Sequence, residues 1–123
     1  MDVIEQIRKS AEDYLETILR LQTTKGYTRS VDIATALSVS KPSVSVAMRN
    51  LRENGYITVA RDNMISLTES GLCIAENIYE RHRVLTEFFK GIGVEESIAE
   101  ADACKVEHDL SPETFEAIRK SVR

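Results

Sequence analysis

Three residues towards the C-terminal end of the chain have the types and the spacing of metal ligands. Cys104, Glu107 and His108 lie at positions i, i+3 and i+4, which share one face of an α-helix. A thiolate, a carboxylate and an imidazole on one face can converge on a divalent transition metal. The spacing therefore predicts a metal site on a helix that carries these residues.

Three more residues are candidates for the same site. Asp13 and Glu16 are three apart on the first predicted helix, off its apolar stripe, and His82 lies within the apolar stripe of a later helix. Each candidate, including Cys104, has an ordinary alternative when taken singly. The carboxylates could form a solvated acidic face, His82 could be a hydrogen-bonded core histidine, and Cys104 could be a small buried residue. The joint pattern, which includes both histidines of the chain, favours metal binding.

The elements that must position these residues follow from hydrophobic periodicity. Residues 4–22 predict a helix with the stripe Ile7, Ala11, Tyr14, Ile18 and Leu21. A second helix follows Ser30 as its N-cap, and a third covers residues 41–52 after Ser40. The β-branched segments 56–60 and 64–67 predict a hairpin. Helix, break, helix and hairpin is the order of a winged helix-turn-helix.

The rest of the chain predicts three more helices. Thr68 caps one that reaches about Gly91 and carries the stripe Ala75, Ile78, His82, Leu85, Phe89 and Ile92. Residues 95–110 predict the next, with Ile98, Ala101, Cys104 and His108 on one side, and the last begins at Ser111. We expect a mainly α fold, with a winged helix-turn-helix DNA-binding domain over 1–70 and a helical metal-binding and dimerisation domain over 71–123.

The charge distribution supports a nucleic-acid-binding segment. The chain of 123 residues has a net charge of −4, yet residues 25–61 hold six basic and two acidic side chains. A basic segment in an acidic chain suits a phosphate-facing surface, although a winged helix can also serve protein contacts. The candidates for base, phosphate or groove contacts are Arg29, Ser40, Lys41, Pro42, Ser43, Ser45, Arg49 and Arg61.

Other protein classes find little support. No apolar run approaches the roughly 18 residues of a membrane span, and the N-terminal residues lack the pattern of a signal peptide. Two distant cysteines argue against a disulfide framework. We therefore expect a cytoplasmic protein without membrane attachment.

The chain resembles the diphtheria-toxin-repressor family of metal-dependent regulators, and most of all its short manganese-sensing branch. The segments that carry the resemblance cover nearly the whole chain: residues 10–16, 32–34, 51–56, 68–71, 81–83, 88–94 and 104–111. The resemblance implies a homodimer held by the late helices, a palindromic DNA operator, and a metal that joins the first helix to the helix of Cys104.

The resemblance also implies a ligand set and an effector. Asp13, Glu16, His82, Cys104, Glu107 and His108 match liganding positions, and the expected metal is Mn²⁺ or Fe²⁺, with Zn²⁺ or Co²⁺ able to substitute. Two residues favour different branches of the family: Asp13 is similar to the manganese branch, whereas Cys104 is similar to the iron branch. A hard carboxylate and a soft thiolate favour different metals, with manganese the somewhat better expectation.

These expectations describe a metal-activated repressor of metal-uptake genes, and three alternatives stay open. A winged-helix regulator could answer thiol oxidation at Cys104 or a small ligand instead of metal. A metalloenzyme would need an open coordination position and a general base, and no HExxH motif or nucleophile elbow occurs. A structural zinc site would suit the same donors.

Overall fold

The fold consists of helices with one small hairpin, as the sequence predicts. The computed structural model describes residues 3–122, with side chains from Ile7 onward. Within that range the elements are α1 (Val3–Lys25), α2 (Ser30–Leu37), α3 (Lys41–Glu53), β1 (Ile57–Val59), β2 (Ile65–Leu67), α4 (Glu69–Gly91), α5 (Glu96–Val106) and α6 (Pro112–Ser121). The mainly α winged helix-turn-helix prediction is confirmed.

Two compact units make up the chain. The first ends at Glu76 and the second begins at Asn77, so that α4 starts in one unit and finishes in the other. The domain boundary that we predicted after residue 70 stays a prediction. No helix among the described residues has the length and apolar character needed to cross a membrane.

The first unit packs α1, α2, α3 and the hairpin around one apolar core. Its largest fully buried side chains come from every one of these elements and include Leu15, Ile18, Ile33, Val44 and Ile57. Ile7, which the sequence placed on the buried stripe of α1, is instead 63% exposed. The buried stripe of α1 runs through Leu15 and Ile18, and the apolar periodicity at Ile7 does not extend it.

The helix starts of the first unit follow the capping rules, with one correction. Ser40 caps α3 by accepting a hydrogen bond from the Ser43 amide at 3.2 Å, and Pro42 occupies the first turn. Ser30 was predicted to cap α2, but it is the first helical residue and Arg29 is the cap. Asp32 decides this start, because its carboxylate accepts the Arg29 amide at 3.0 Å and thereby satisfies a donor at the N-terminus.

The hairpin is short and antiparallel. Ile57 pairs with Leu67 and Val59 pairs with Ile65, with Ile57 and Ile65 buried against the core. Asn63 turns the chain between the strands at a φ of 67°, a left-handed conformation that asparagine tolerates better than most residues.

The second unit differs from the sequence prediction at α5. This helix ends at Val106 and not at residue 110, and residues 107–109 form a turn. Its buried residues are Ala99 and Ala103, whereas Ile98, predicted on the inner stripe, is 53% exposed. Small alanine side chains allow α5 to pack closely, so the buried face follows them and not the larger isoleucine. Ile92 at the end of the predicted α4 stripe is also exposed.

Gly71 allows α4 to approach the backbone of Tyr56, the residue before β1, and this contact yields a test. A Cβ at position 71 would collide with the backbone carbonyl oxygen of Tyr56, whereas a Cβ at helical Gly91 would meet nothing within 4 Å. We expect Gly71→Ala to lower the free energy of unfolding by about 1–3 kcal/mol. Gly91→Ala should raise it by about 0.5–1 kcal/mol, as alanine does in a helix. Urea denaturation measures both, and equal stability of the two variants would contradict this packing.

Candidate metal centre and nucleic-acid interface

Helix α3 presents a basic face to solvent. Ser45, Arg49 and Arg52 lie at i, i+4 and i+7, so they project from the same side of the helix, and all three are exposed. The opposite side of α3 is held in the core by Val44, Met48 and Leu51. Burial of the apolar side therefore fixes the direction in which the two arginines point.

This basic face continues into a hollow of about 500 Å³ between α2, α3 and the hairpin. Arg29 at the start of α2 and Asn63 at the hairpin turn line it together with Ser45, Arg49 and Arg52. Guanidinium groups match the geometry of phosphate oxygens and stay charged at all physiological pH values. An open hollow with three of them is suited to a phosphate backbone.

A local ion pair fixes the start of α2 beside the hollow. The Lys25 ammonium lies 2.7 Å from one oxygen of Asp32, whose other oxygen accepts the Arg29 amide. The hydrogen bond from Lys25 lowers the pKa of the Asp32 carboxyl, and that carboxylate in turn raises the pKa of Lys25. The Tyr27 ring lies 5.2 Å from the Lys25 ammonium and 5.9 Å from the Arg29 guanidinium carbon. Arg29 is thus anchored through its backbone, and its side chain is available to the hollow.

The predicted nucleic-acid residues do not all lie in this hollow. Lys41 and Pro42 are exposed on the first turn of α3, and Ser43 lines a separate groove against α1 with Val46 and Asn50. Arg61 is exposed at the hairpin turn. Their roles in DNA binding stay predictions.

The second unit brings three predicted metal ligands together. One ligand atom from each of His82, Cys104 and Glu107 lies within 4.8 Å of the other two. His82 Nδ1 is 2.9 Å from Glu107 Oε2, and the Glu107 residue has 0% exposure. When the Nδ1 proton is donated to this carboxylate, the other ring nitrogen keeps its lone pair for a metal. Nitrogen, sulfur and oxygen donors at these separations fit a divalent transition metal.

His108 adjoins the same carboxylate from the other side. It is buried, and its Nε2 atom lies 3.6 Å from Glu107 Oε1. Cys104 is exposed, so its thiol is accessible to solvent, metal or oxidant. Glu107 follows the last residue of α5 but keeps a helical backbone and donates its amide to Ala103 at 2.9 Å. The three residues predicted on one helix therefore lie across its C-terminal end, where the chain begins to turn.

Asp13 and Glu16 belong to α1 in the first unit. Glu16 is 5% exposed, and its carboxylate accepts hydrogen bonds from Arg20 one turn later, at 2.6 and 3.2 Å. Asp13 is half-buried, and its backbone carbonyl accepts the Thr17 hydroxyl. Their participation in metal binding stays a prediction.

Two residues of these sites were not among the predicted site residues. Asn63 joins the basic hollow only because the hairpin returns to α3. Arg81, beside His82 on α4, donates to the backbone carbonyls of Glu107 and Leu110. Asn63 does occupy a turn position that asparagine favours, but nothing in the spacing of Arg81 indicates a contact 26 residues away.

Two family models match the chain in succession. Residues 6–64 match the N-terminal DNA-binding domain of iron-dependent repressors, and residues 68–123 match their metal-binding and dimerisation domain. The arginines of the basic hollow fall within the first match, and the cluster of His82, Cys104 and Glu107 falls within the second.

Individual relatives agree with these matches. The chain is 35% identical over 114 residues to the HTH-type transcriptional regulator MntR of Lysinibacillus sphaericus (strain C3-41). The alignment covers 93% of this chain and 82% of that protein. Among solved structures it is similar to IdeR of T. acidophilum, with a TM-score of 0.79, 27% identity and coverage of 89% of this chain and 52% of that one. The structure of the manganese regulator SloR gives a TM-score of 0.79 at 26% identity, and the match covers 90% of this chain and 52% of that one. The chain spans about half the length of these two solved chains.

These matches confirm the resemblance found in the sequence and exclude the enzyme alternative, because the family consists of transcription regulators. The chain belongs to the iron-dependent repressor family of metal-dependent, DNA-binding transcription regulators, to which MntR also belongs.

Proposed function

We propose that this chain is a homodimeric repressor of metal-uptake genes that binds a palindromic operator when loaded with Mn²⁺ or Fe²⁺. The observation that carries the proposal is the cluster of His82, Cys104 and Glu107, with ligand atoms within 4.8 Å of one another. It lies in the segment that matches a metal-binding and dimerisation domain. A regulator whose metal ligands adjoin its dimerisation region can transmit metal binding to the spacing of its DNA-reading helices.

The proposed ligands are Asp13, Glu16, His82, Cys104, Glu107 and His108. The positive charge of the metal would offset the negative charge of the Glu107 carboxylate and of a Cys104 thiolate. Glu107 and His82 already contact each other at 2.9 Å. Asp13 and Glu16 enter the proposal through the family resemblance, and Glu16 would have to release Arg20, whose guanidinium holds its carboxylate.

DNA binding is proposed to use the basic hollow and the exposed turn of α3. A dimeric reader needs its two recognition helices about 34 Å apart, one turn of DNA. If metal favours the dimer conformation with that spacing, it raises operator affinity by population shift. A coupling of about 1–3 kcal/mol, common for such effectors, corresponds to a 5- to 150-fold change in affinity.

Donor chemistry supports either of two effectors. Carboxylates at Asp13, Glu16 and Glu107 favour the hard ion Mn²⁺, in keeping with the name of the relative SloR as a manganese regulator. The Cys104 thiolate favours Fe²⁺ and also Zn²⁺ or Co²⁺. We place manganese slightly ahead, because carboxylates outnumber the single thiolate in the proposed set.

Metal-dependent DNA binding is the first prediction from this proposal. Chelator-treated protein is titrated anaerobically with Mn²⁺, Fe²⁺ or Zn²⁺, and fluorescence anisotropy follows binding to a palindromic DNA selected from a randomised library. We expect the effector to raise affinity about tenfold or more at fixed salt. Glu107→Gln should abolish the increase, because the buried carboxylate is lost.

The matched control is Glu100→Gln, which removes the same charge from an exposed position of α5 and should keep the response. Equal DNA affinity with and without every metal would refute the gating proposal. A peroxide effect on DNA binding that persists without metal would support gating by the Cys104 thiol instead.

Direct coordination by Cys104 is tested with Co²⁺ as a spectroscopic probe. A thiolate bound to Co²⁺ produces a ligand-to-metal charge-transfer band in the near ultraviolet, and we expect Cys104→Ser to remove it. Cys73→Ser is the control, because Cys73 is the other exposed thiol and lies in the first unit. Cys104→Glu should shift metal preference towards Mn²⁺ relative to Zn²⁺. A band that survives in Cys104→Ser would remove Cys104 from the ligand set.

The basic hollow predicts a salt dependence. Replacing Arg49 by Ala should weaken binding to all DNA sequences, because a phosphate contact carries no sequence information. The slope of log affinity against log salt should become shallower by about one per protomer. Arg119→Ala removes the same charge from α6, far along the chain from α3, and should leave the slope unchanged. An unchanged slope in Arg49→Ala would exclude Arg49 from the interface.

A further inference from the structure

Arg81 makes a set of contacts that the metal ligands themselves do not account for. Its Nη1 atom donates to the backbone carbonyls of Glu107, at 3.1 Å, and of Leu110, at 2.8 Å. Its guanidinium carbon lies 5.1 Å from the centroid of the Phe115 ring on α6. Its Nε atom is buried and has no hydrogen-bond partner among the described residues. One side chain of α4 thus reaches the end of α5, the following turn and α6.

These contacts fall where the backbone most needs them. Helix α5 ends at Val106, and the last carbonyls of a helix have no partner within it. Residues 107–109 then turn the chain towards α6. A cation at a helix C-terminus is also favoured by the helix dipole. By donating to two carbonyls three residues apart, Arg81 fixes the conformation of the turn that carries Glu107 and His108.

The position of Arg81 in the sequence adds a second constraint. It immediately precedes His82 on α4, so the helix that supplies one proposed ligand also holds the turn that supplies two more. The contact of 2.9 Å between His82 Nδ1 and Glu107 Oε2 depends on that turn, because Glu107 is fully buried and cannot reach His82 from another backbone position without repacking. We infer that Arg81 is a positioning residue for metal binding: it holds the turn of residues 107–110 so that Glu107 stays in contact with His82. This inference rests on the proposed metal function of the cluster.

The side-chain type matters for this role. A planar guanidinium offers several donors in a fixed arrangement, stacks on an aromatic ring and keeps its charge when buried. A lysine ammonium keeps the charge but cannot reproduce both carbonyl contacts together with the ring contact. Arg81→Lys should therefore give a partial loss of metal affinity, and Arg81→Met a larger one.

The experiment measures the Co²⁺ dissociation constant of the full-length protein by absorption titration, for the wild type, Arg81→Lys, Arg81→Met and Arg83→Met. Residues that orient metal ligands typically contribute about 10- to 100-fold to metal affinity, so we expect Arg81→Met to bind Co²⁺ at least about tenfold more weakly. Arg83→Met is the control: it removes a cation from the same helix, and the Arg83 guanidinium lies over Tyr79, 5.9 Å from its ring centroid. It should bind Co²⁺ like the wild type.

Thermal unfolding with and without Co²⁺ separates positioning from simple stabilisation. A ligand that binds only the folded state raises its stability according to ligand concentration over dissociation constant, so the Co²⁺-induced rise in Tm should shrink in Arg81→Met whatever its metal-free Tm. If that variant is less stable but keeps the full rise and the wild-type Co²⁺ affinity, the inference is overturned. If Arg81→Met does not fold, Arg81→Lys decides by the same two measurements. A wild type that fails to bind Co²⁺, Mn²⁺ or Fe²⁺ would instead refute the proposed function.

Discussion

The burial of the Glu107 carboxylate is the constraint on which the second unit depends. Moving a carboxylate out of water costs several kcal/mol unless charges and hydrogen bonds compensate. Glu107 is fully buried, and the ring nitrogens of His82 and His108 lie 2.9 and 3.6 Å from its two oxygens. Two histidines around one buried carboxylate, next to a thiol, form an arrangement that core packing alone would not favour. The proposed metal site rests on this arrangement.

The buried carboxylate lies at the point where α5 ends. Glu107 keeps a helical backbone at the end of α5, and residues 107–109 then turn the chain with both Glu107 and His108 buried. The turn needs partners for its carbonyls, and Arg81 provides them from α4. The buried carboxylate, the end of α5 and the contacts of Arg81 thus lie together in the second unit.

In the first unit, the basic side chains of α3 stay at the surface. Its core is apolar, and its arginines gather on one exposed face because Val44, Met48 and Leu51 hold the other side of α3 inward. The Lys25–Asp32 pair strengthens the start of α2 and leaves the Lys25 side chain exposed. An acidic chain can therefore offer a basic hollow, since local surface charge, and not net charge, is what a phosphate meets.

The sequence by itself determined the order of helices and strands, the cap at Ser40, the residue types of the proposed metal site and the family, since these depend on local periodicity and on residue identity. It placed His82 in the apolar stripe of α4 and Cys104 near Glu107, and the structure brings those three together. Tertiary structure alone decided that Ile7 and Ile98 are exposed and that α5 ends at Val106. It also decided that Asn63 lines the basic hollow and that Arg81 contacts the turn after α5. The reason is that periodicity specifies which residues share a face, but only packing against other elements selects which face is buried and which distant backbone groups a side chain reaches.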